Sequence, residues 1–322
     1  MNPPLEPSSP VSARGMQDKR ALLVFNPEAG DTGASALQLS EIITLMQLWH
    51  ITPEVHIISG GSQLSEVVSR ALRRGVRLVV AAGGDGTIES IAQAMMGSRA
   101  TLGIIPKGTR NNLALSLGIP LNMAEAVEIL RHGQPAYIDV GRAACGAESL
   151  WFLETSSIGL LPALYPAADD IQHGNLTRIT ELLSTLVSYQ PANIRLTLDH
   201  AQQVDTQGYL ALVANAPYFG VNIQVSSRVS FQDAWLDVFV FSNLTKLELI
   251  GYAAAQMTTG GAEDPRILHY RVKQVTIETT PPMQVTADGS PLGEGPLRAE
   301  IYPRGLRVMA GRAVARQPEE PA

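Results

Sequence analysis

The chain has 322 residues, 45% of them hydrophobic, which suits one large core or two medium ones and excludes a wholly disordered chain. Its net charge of −6 and pI near 5.6 exclude the broad positive field of a duplex nucleic-acid binder, so any contact with phosphates must be local. The single cysteine, Cys145, excludes an intramolecular disulfide and leaves no basis for a thiolate metal site.

Residues 1–18 and 314–322 are polar and broken by proline, a composition that predicts disorder. The opening MNPPLEPSSPVSARG lacks the apolar centre of a signal peptide. No run reaches the roughly 18 apolar residues of a membrane span, so a soluble cytoplasmic protein without a transmembrane segment is expected. From residue 20 to 142 short apolar runs alternate with helical patterns. ALLVF (21–25) is followed by a helix over 35–49, PEVHIIS (53–59) by a helix over 64–74, VRLVVAA (76–82) by a helix after Thr87, and then comes TLGIIP (101–106). That alternation predicts a parallel sheet covered on both faces, with polar turns at the C-terminal ends of its strands, where open α/β sheets bind ligands. Beyond about 150 the pattern becomes β-rich: RLTLDH, YLALVANAP, WLDVFVF, VKQVTIET and RAEIYP, with helical stretches at 177–189 and 244–257. A mostly antiparallel second domain is expected there.

The motifs of several common enzyme classes are missing. There is no GxxxxGK[ST], GxGxxG, GxSxG or HExxH, and the six histidines show no close metal spacing. What stands out is VVAAGGDGTIESIAQAM (79–95), an apolar strand entering a glycine turn and a helix. Glycines let backbone approach a ligand closely, and a helix start offers unpaired N–H groups suited to phosphate oxygens. Asp85 would be repelled by a bare phosphate, so it orients backbone, accepts from ribose hydroxyls or holds Mg²⁺. The competing reading is a plain turn in which Asp85 and Thr87 cap the helix. FNPEAG (25–30) and IPKGTRNNLALSLGIP (105–120) place two further polar glycine turns at the same sheet edge.

NPEAG, GGDGT and PKGTRNNLALSLGIP, in this order and spacing, resemble the diacylglycerol kinase catalytic family of bacterial lipid kinases, related to sphingosine kinases. YIDVGRA (137–143), SSIG (156–159), NAPYFG (215–220), WLDVFVF (235–241) and ADGSPL (287–292) carry the resemblance through the second domain. GGDGT alone is shared with NAD kinases, and an NAD kinase-like enzyme is the first rival. The resemblance implies an α/β fold: a phosphofructokinase-like, parallel-sheet, nucleotide-binding domain over 19–140 with a returning segment at 304–313, and an antiparallel β-sandwich lipid-substrate domain over 141–303. It further implies transfer of the γ-phosphate of ATP, with Mg²⁺, to a diacylglycerol-like or sphingoid hydroxyl. Asn26, Gly84, Asp85, Gly86, Thr87, Gly108, Thr109 and Asn111 then hold the nucleotide and Asp288 is the general base, while the metal ligands stay open. The expected partner is a lipid at the membrane surface rather than nucleic acid, with a homodimer left open. Taken without the resemblance, Asp288-Gly289 reads first as a β-hairpin turn.

The chain departs from the family pattern at four places. Ser290 stands where a second carboxylate is usual, with Glu294 as a candidate replacement. Glu89 and Ser90 stand where an Asn-Glu pair is usual one residue later, Asn112 and Leu113 replace Asp and an aromatic residue, and the glycine cluster after NAPYFG is thinned to GVN. A catalytically weak nucleotide- or lipid-binding relative is therefore the second rival. For the acceptor, SIGLLPALYPAA (157–168) and MTTGGAEDP (257–265) are candidate lipid-entry segments, each with a buried connector as the alternative. Arg70, Arg73, Arg74 and Arg77 form a basic cluster that either meets anionic headgroups or complements a helix end.

Overall fold

The computed structural model describes residues 18–30, 32–60, 63–164, 179–219, 223–224, 226, 228–242, 244–249, 251–252, 264 and 266–311. The termini expected to be disordered, most of the 257–265 stretch, residues 165–168 and the GVN segment lie outside the described residues.

The first half alternates strand and helix: β1 (Lys19–Phe25), a 3₁₀ turn (Thr32–Ala34), α1 (Ser35–Leu48), β2 (Ile51–Ile57), α2 (Leu64–Arg73), β3 (Leu78–Gly83), α3 (Asp85–Met95), β4 (Thr101–Pro106), α4 (Asn112–Ser116) and α5 (Met123–His132). β1 pairs in parallel with β2 and β3, and β3 with β4. Side chains alternate across these strands, so each feeds two cores. Leu22, Val24, Val79 and Ala81 pack with Val68 and Ala71 of α2 and Ile88, Ile91 and Met95 of α3. Leu23, Phe25, Val80 and Ala82 pack on the other face with Ile42 and Met46 of α1 and Val127 and Leu130 of α5. Burial on both faces is why β3 and β4 read as unbroken apolar runs.

The second half is antiparallel: β5 (Gln134–Cys145), β6 (Glu148–Phe152), β7 (Thr155–Gly159), α6 (Ile179–Ser188), β8 (Ala192–Leu198), β9 (Gln202–Ala214), β10 (Tyr218–Phe219), β11 (Ile223–Gln224), β12 (Leu236–Ser242), β13 (Ile267–Val272), β14 (Gln274–Thr280), β15 (Gln284–Ala287), β16 (Ser290–Glu294) and β17 (Leu297–Ala310). The expected run VKQVTIET is divided: Val272 ends β13 and β14 starts at Gln274, the backbone N–H groups of Lys273 and Gln274 both donating to Asp199 Oδ1. The long β17 pairs antiparallel with β5 and β14 and touches β4 in parallel at Val308–Leu102. The end of the described chain thus returns to the parallel sheet, and the central path β16-β15-β7-β9-β8-β14-β17-β4-β3-β1-β2 is continuous.

Residues 160–164 form a helical turn after β7, and Leu160, Leu161 and Leu164 pack with Leu210, Leu212, Phe239 and Phe241. In its described part the SIGLLPALYPAA stretch is therefore a buried connector.

Candidate active site

The C-terminal ends of β1, β3 and β4 lie side by side, and the three turns that leave them meet. Asn26 N–H donates to the Ala82 carbonyl (2.9 Å) and Lys107 N–H to that of Gly83 (2.9 Å). The Asn26 amide donates to Thr87 Oγ1 (3.0 Å) and the Lys107 ammonium to the Asn26 carbonyl (3.2 Å), over the Phe25 ring. Gly84 and Gly108 pack backbone to backbone: a Cβ on Gly108 would lie 2.6 Å from Gly84 Cα, a distance no real Cβ tolerates. Gly30, in the left-handed region at φ +69°, packs against the Lys107 carbonyl with no room for a Cβ. Asn111, also left-handed at φ 54°, folds its amide over its own loop, accepting from Gly108 N–H (2.9 Å) and donating to the Gly108 carbonyl (2.7 Å).

These contacts frame a hollow of about 620 Å³ lined by Asn26, Gly30, Gly84, Asp85, Gly86, Thr87, Gly108, Thr109 and Arg110, among others. Seven of the eight positions that the resemblance ties to the nucleotide line it. Asn111 does not; it clamps the loop from behind. Gly84, not a side chain, precedes α3 as its N-cap, and no side chain caps that helix, so the plain capping role for Asp85 and Thr87 is not what the chain uses. Asp85 instead turns its carboxyl toward the start of α4: burial raises its pKa, and the Arg110 charge and the backbone N–H groups of Leu113, Asn112 and Asn111 work against that rise. Orienting backbone is thus the one of its three expected roles that the geometry displays. Its Oδ1 is buried without a hydrogen-bond partner.

Beside the hollow stands a second group. Asp288 occupies the first position of the two-residue turn between β15 and β16, with φ 45° at Asp288 and 82° at Gly289, as an Asp-Gly hairpin requires. Its carboxylate accepts from three successive backbone N–H groups: Leu153 (to Oδ2, 2.6 Å), Glu154 (to Oδ1, 3.0 Å) and Thr155 (to Oδ1, 2.8 Å). Three such bonds ordinarily hold a carboxyl pKa down. Burial outweighs them here, and with the nearby Asp85 charge the Asp288 pKa is pushed up to about 6. Glu154 is buried, accepts from the Asn112 amide (3.1 Å), and is raised well above the usual carboxyl range by burial and by the Asp288 and Asp85 charges. Glu89 is raised likewise by burial and by Asp288, Glu154 and Asp85. The Arg110 guanidinium opposes these shifts at Asp85, Glu89 and Glu154. Asp288 belongs to this acid cluster and not to the lining of the hollow, and the two groups share Asp85.

Glu294 does not replace the carboxylate missing at Ser290: it is exposed at the far end of β16, where its charge acts on Tyr189. Glu89 and Glu154 supply acid to the cleft instead. Arg110 and Glu154 are the residues that sequence reasoning left unassigned. Arg110 sits inside the glycine turn, and Glu154 is the only charged residue between Glu148 and Asp169. That isolation within an apolar stretch is the signal that could have found it. Ser90 lines the hollow and donates to the Gly86 carbonyl (2.8 Å). Of the four basic residues at 70–77, Arg74 pairs with Glu54 at 2.5 Å at the end of α2.

Residues 20–143 match the diacylglycerol kinase catalytic domain, and residues 165–310 match the YegS C-terminal NAD kinase beta sandwich-like domain. A diacylglycerol kinase of Mycobacterium tuberculosis is 26% identical over 264 residues, covering 80% of this chain and 85% of its own. One of Bacillus subtilis is 24% identical over 277 residues, covering 84% and 89%. The crystal structure of a diacylglycerol kinase from Bacillus anthracis shares the fold, with a TM-score of 0.72 at 24% identity over 93% of this chain and 100% of that one.

Proposed function

Because the chain belongs to the diacylglycerol kinase catalytic family and is a kinase of the lipid kinase class, we propose that it transfers the γ-phosphate of ATP to a lipid hydroxyl, with Asp288 as the general base. The observation that carries this reading is the convergence of three glycine turns on one hollow, directly beside a carboxylate held by three backbone N–H groups.

Phosphoryl transfer asks a protein for positioning, charge neutralisation and a base near the attacking hydroxyl. In the hollow, Gly84, Gly86 and Gly108 expose backbone to the phosphates. Asn26 and Thr87 brace the turns, and Arg110 offers positive charge. Asp288 takes the proton from the acceptor hydroxyl. A pKa near 6 leaves it ionised at neutral pH yet close enough to the working range for efficient transfer. Its three N–H partners fix its orientation, so no reorientation is needed when the proton arrives.

Among the described residues no group of three or more His, Cys, Asp or Glu is placed to hold a metal. Mg²⁺ arriving with a nucleotide commonly takes one or two protein carboxylates and keeps phosphate and water for the rest. Asp85, with its unpartnered Oδ1, is the residue that would hold it. The bound ion supplies neutralisation of phosphate charge. In this reading the enzyme meets its lipid at the membrane surface; no helix among the described residues is long and apolar enough to cross a membrane.

The test is transfer of label from γ-³²P-ATP to a panel of diacylglycerol, sphingoid base, phosphatidylglycerol and NAD, with the native chain and Asp288→Asn. We expect label in a lipid fraction and a loss of about 10²- to 10⁴-fold in the variant, the usual worth of a general base. Label on NAD, or an Asp288→Asn variant as active as the native chain, would refute the reading.

A further inference from the structure

Glu154 is tied to three other segments at once. Its side chain accepts from the Asn112 amide in the helix that follows the nucleotide turn, and its own N–H donates to Asp288. Its carbonyl accepts from the N–H groups of Asn215 (2.8 Å) and Ala216 (3.1 Å) at the end of β9. Asn112 and Glu154 are 1% and 7% exposed, and Glu154 Oε1 is buried with no hydrogen-bond partner. An ionisable side chain with an unmade hydrogen bond is an expensive thing to bury, and an apolar residue would fill the same space at lower cost. What an apolar residue could not do is hold the amide of Asn112.

We propose that Glu154 is a positioning residue of the transfer site, its side chain fixing the α4 end of the nucleotide turn while its backbone fixes Asp288, so that the two halves of the site keep one separation. This rests on the function proposed above. Around the pair stand Asp85 and Arg110 from the nucleotide turns, Glu89 from α3 and Asp288 from the hairpin. The burial and like charges that raise the Glu154 pKa favour a neutral acid facing the amide. The contact needs one carboxyl and one amide, and which residue carries which is immaterial. Asn112 stands where the family pattern has an acid, and in this chain the contact is completed by the acid at 154.

The experiment is a cycle of Glu154→Ala, Glu154→Gln, Asn112→Asp and Asn112→Asp with Glu154→Gln, using the lipid-labelling assay, binding of a non-hydrolysable ATP analogue and thermal melting. Glu154→Ala should lower kcat by about 30-fold with the ATP KM within about twofold, because Glu154 holds the site's geometry without lining the hollow. Glu154→Gln keeps an acceptor for the Asn112 amide and should stay within about threefold of the native chain. Asn112→Asp sets two carboxyls together and should cost about tenfold or more, and adding Glu154→Gln should return kcat to within about threefold. Native kcat in Glu154→Ala, or a double variant whose loss equals the product of the two single losses, overturns the proposal. So does a kcat loss matched by equal losses in analogue binding and melting temperature, which marks a role in folding alone. A native chain that is active, an Asp288→Asn variant that is inactive and an unaffected Glu154→Ala would sink the positioning role only. Activity surviving in Asp288→Asn would sink the underlying functional reading.

Discussion

In the hollow, shape is made by backbone touching backbone: Gly84 against Gly108, Gly30 against the Lys107 carbonyl, each contact depending on a missing Cβ. In the acid cluster beside it, the working property is charge, set by burial and, at Glu89, Glu154 and Asp288, by repulsion from neighbouring carboxylates: Asp85, Glu89, Glu154 and Asp288 all hold their protons more tightly than free carboxyls do. The hollow suits a ligand that brings negative charge to N–H groups, whereas the cluster keeps bare carboxylate charge low near that ligand. A site of this kind can accept polyphosphate although the chain as a whole is acidic. The two devices should therefore fail in different ways, the hollow to added volume and the cluster to pH.

The largest effect outside Asp288, the proposed base, is expected from one methyl group. Gly108→Ala puts a Cβ 2.6 Å from Gly84 Cα, and backbone cannot yield as a flexible side chain would. We expect a loss of about 1–3 kcal/mol in stability from overpacking, and about 10²-fold or more in ATP-analogue affinity, from displaced turns. Gly86→Ala is the control for the packing cost, because no protein atom lies within 4 Å of a Cβ at that position. Thermal melting of both variants breaks the comparison if Gly86→Ala proves the less stable of the two.

This difference in construction also explains what could be read from the chain alone. Each wall of the hollow is a contiguous turn whose glycines announce a close approach, and the alternation of strand and helix puts those turns at one sheet edge. Asn26, Gly84 and Gly108 were legible for that reason. The acid cluster draws on positions 85, 89, 154 and 288, brought together by the hairpin of β15 and β16 crossing to the turn after β6. No local pattern encodes that crossing. The role of Asp85 was open for the same reason, since it depends on the α4 amides it faces. Glu294 looked suitable by its nearness in sequence to Ser290, but the two-residue turn sends it along β16 and away from the cleft.

A middle-sized effect separates the cluster from the hollow by pH. In its proposed role as base Asp288 must be ionised, and its pKa is raised to about 6, so kcat/KM should climb through pH 6 and fall about tenfold for each pH unit below it. An acid limb near pH 4 instead would mean that the three N–H bonds outweigh burial. Stability runs the opposite way. A carboxyl whose pKa is higher folded than unfolded binds more protons in the native state. Its cluster therefore favours folding most in acid and loses stability as pH rises from the unfolded value of 3.8 through about 6. Melting temperatures of the native chain and Asp288→Asn, compared from pH 4 to 8, should diverge as pH rises, with the variant the less sensitive.

The smallest effect tests whether the hollow needs any side-chain bond at all. Thr87 is 8% exposed and its Oγ1 accepts from the Asn26 amide at 3.0 Å, linking the first and second turns. Thr87→Val keeps the branched shape and removes only the acceptor, leaving an amide N–H to find water at the rim. The expected cost is about 1 kcal/mol in stability and a rise of a few-fold in the ATP KM, with kcat nearly unchanged because Asp288 is untouched. If Thr87→Val matches Gly108→Ala in its damage, the turns are held by polar side chains more than by glycine contacts. In that case the hollow would be built by the same means as the cluster, through side-chain chemistry at a distance in sequence, and its glycines would serve flexibility instead of close packing.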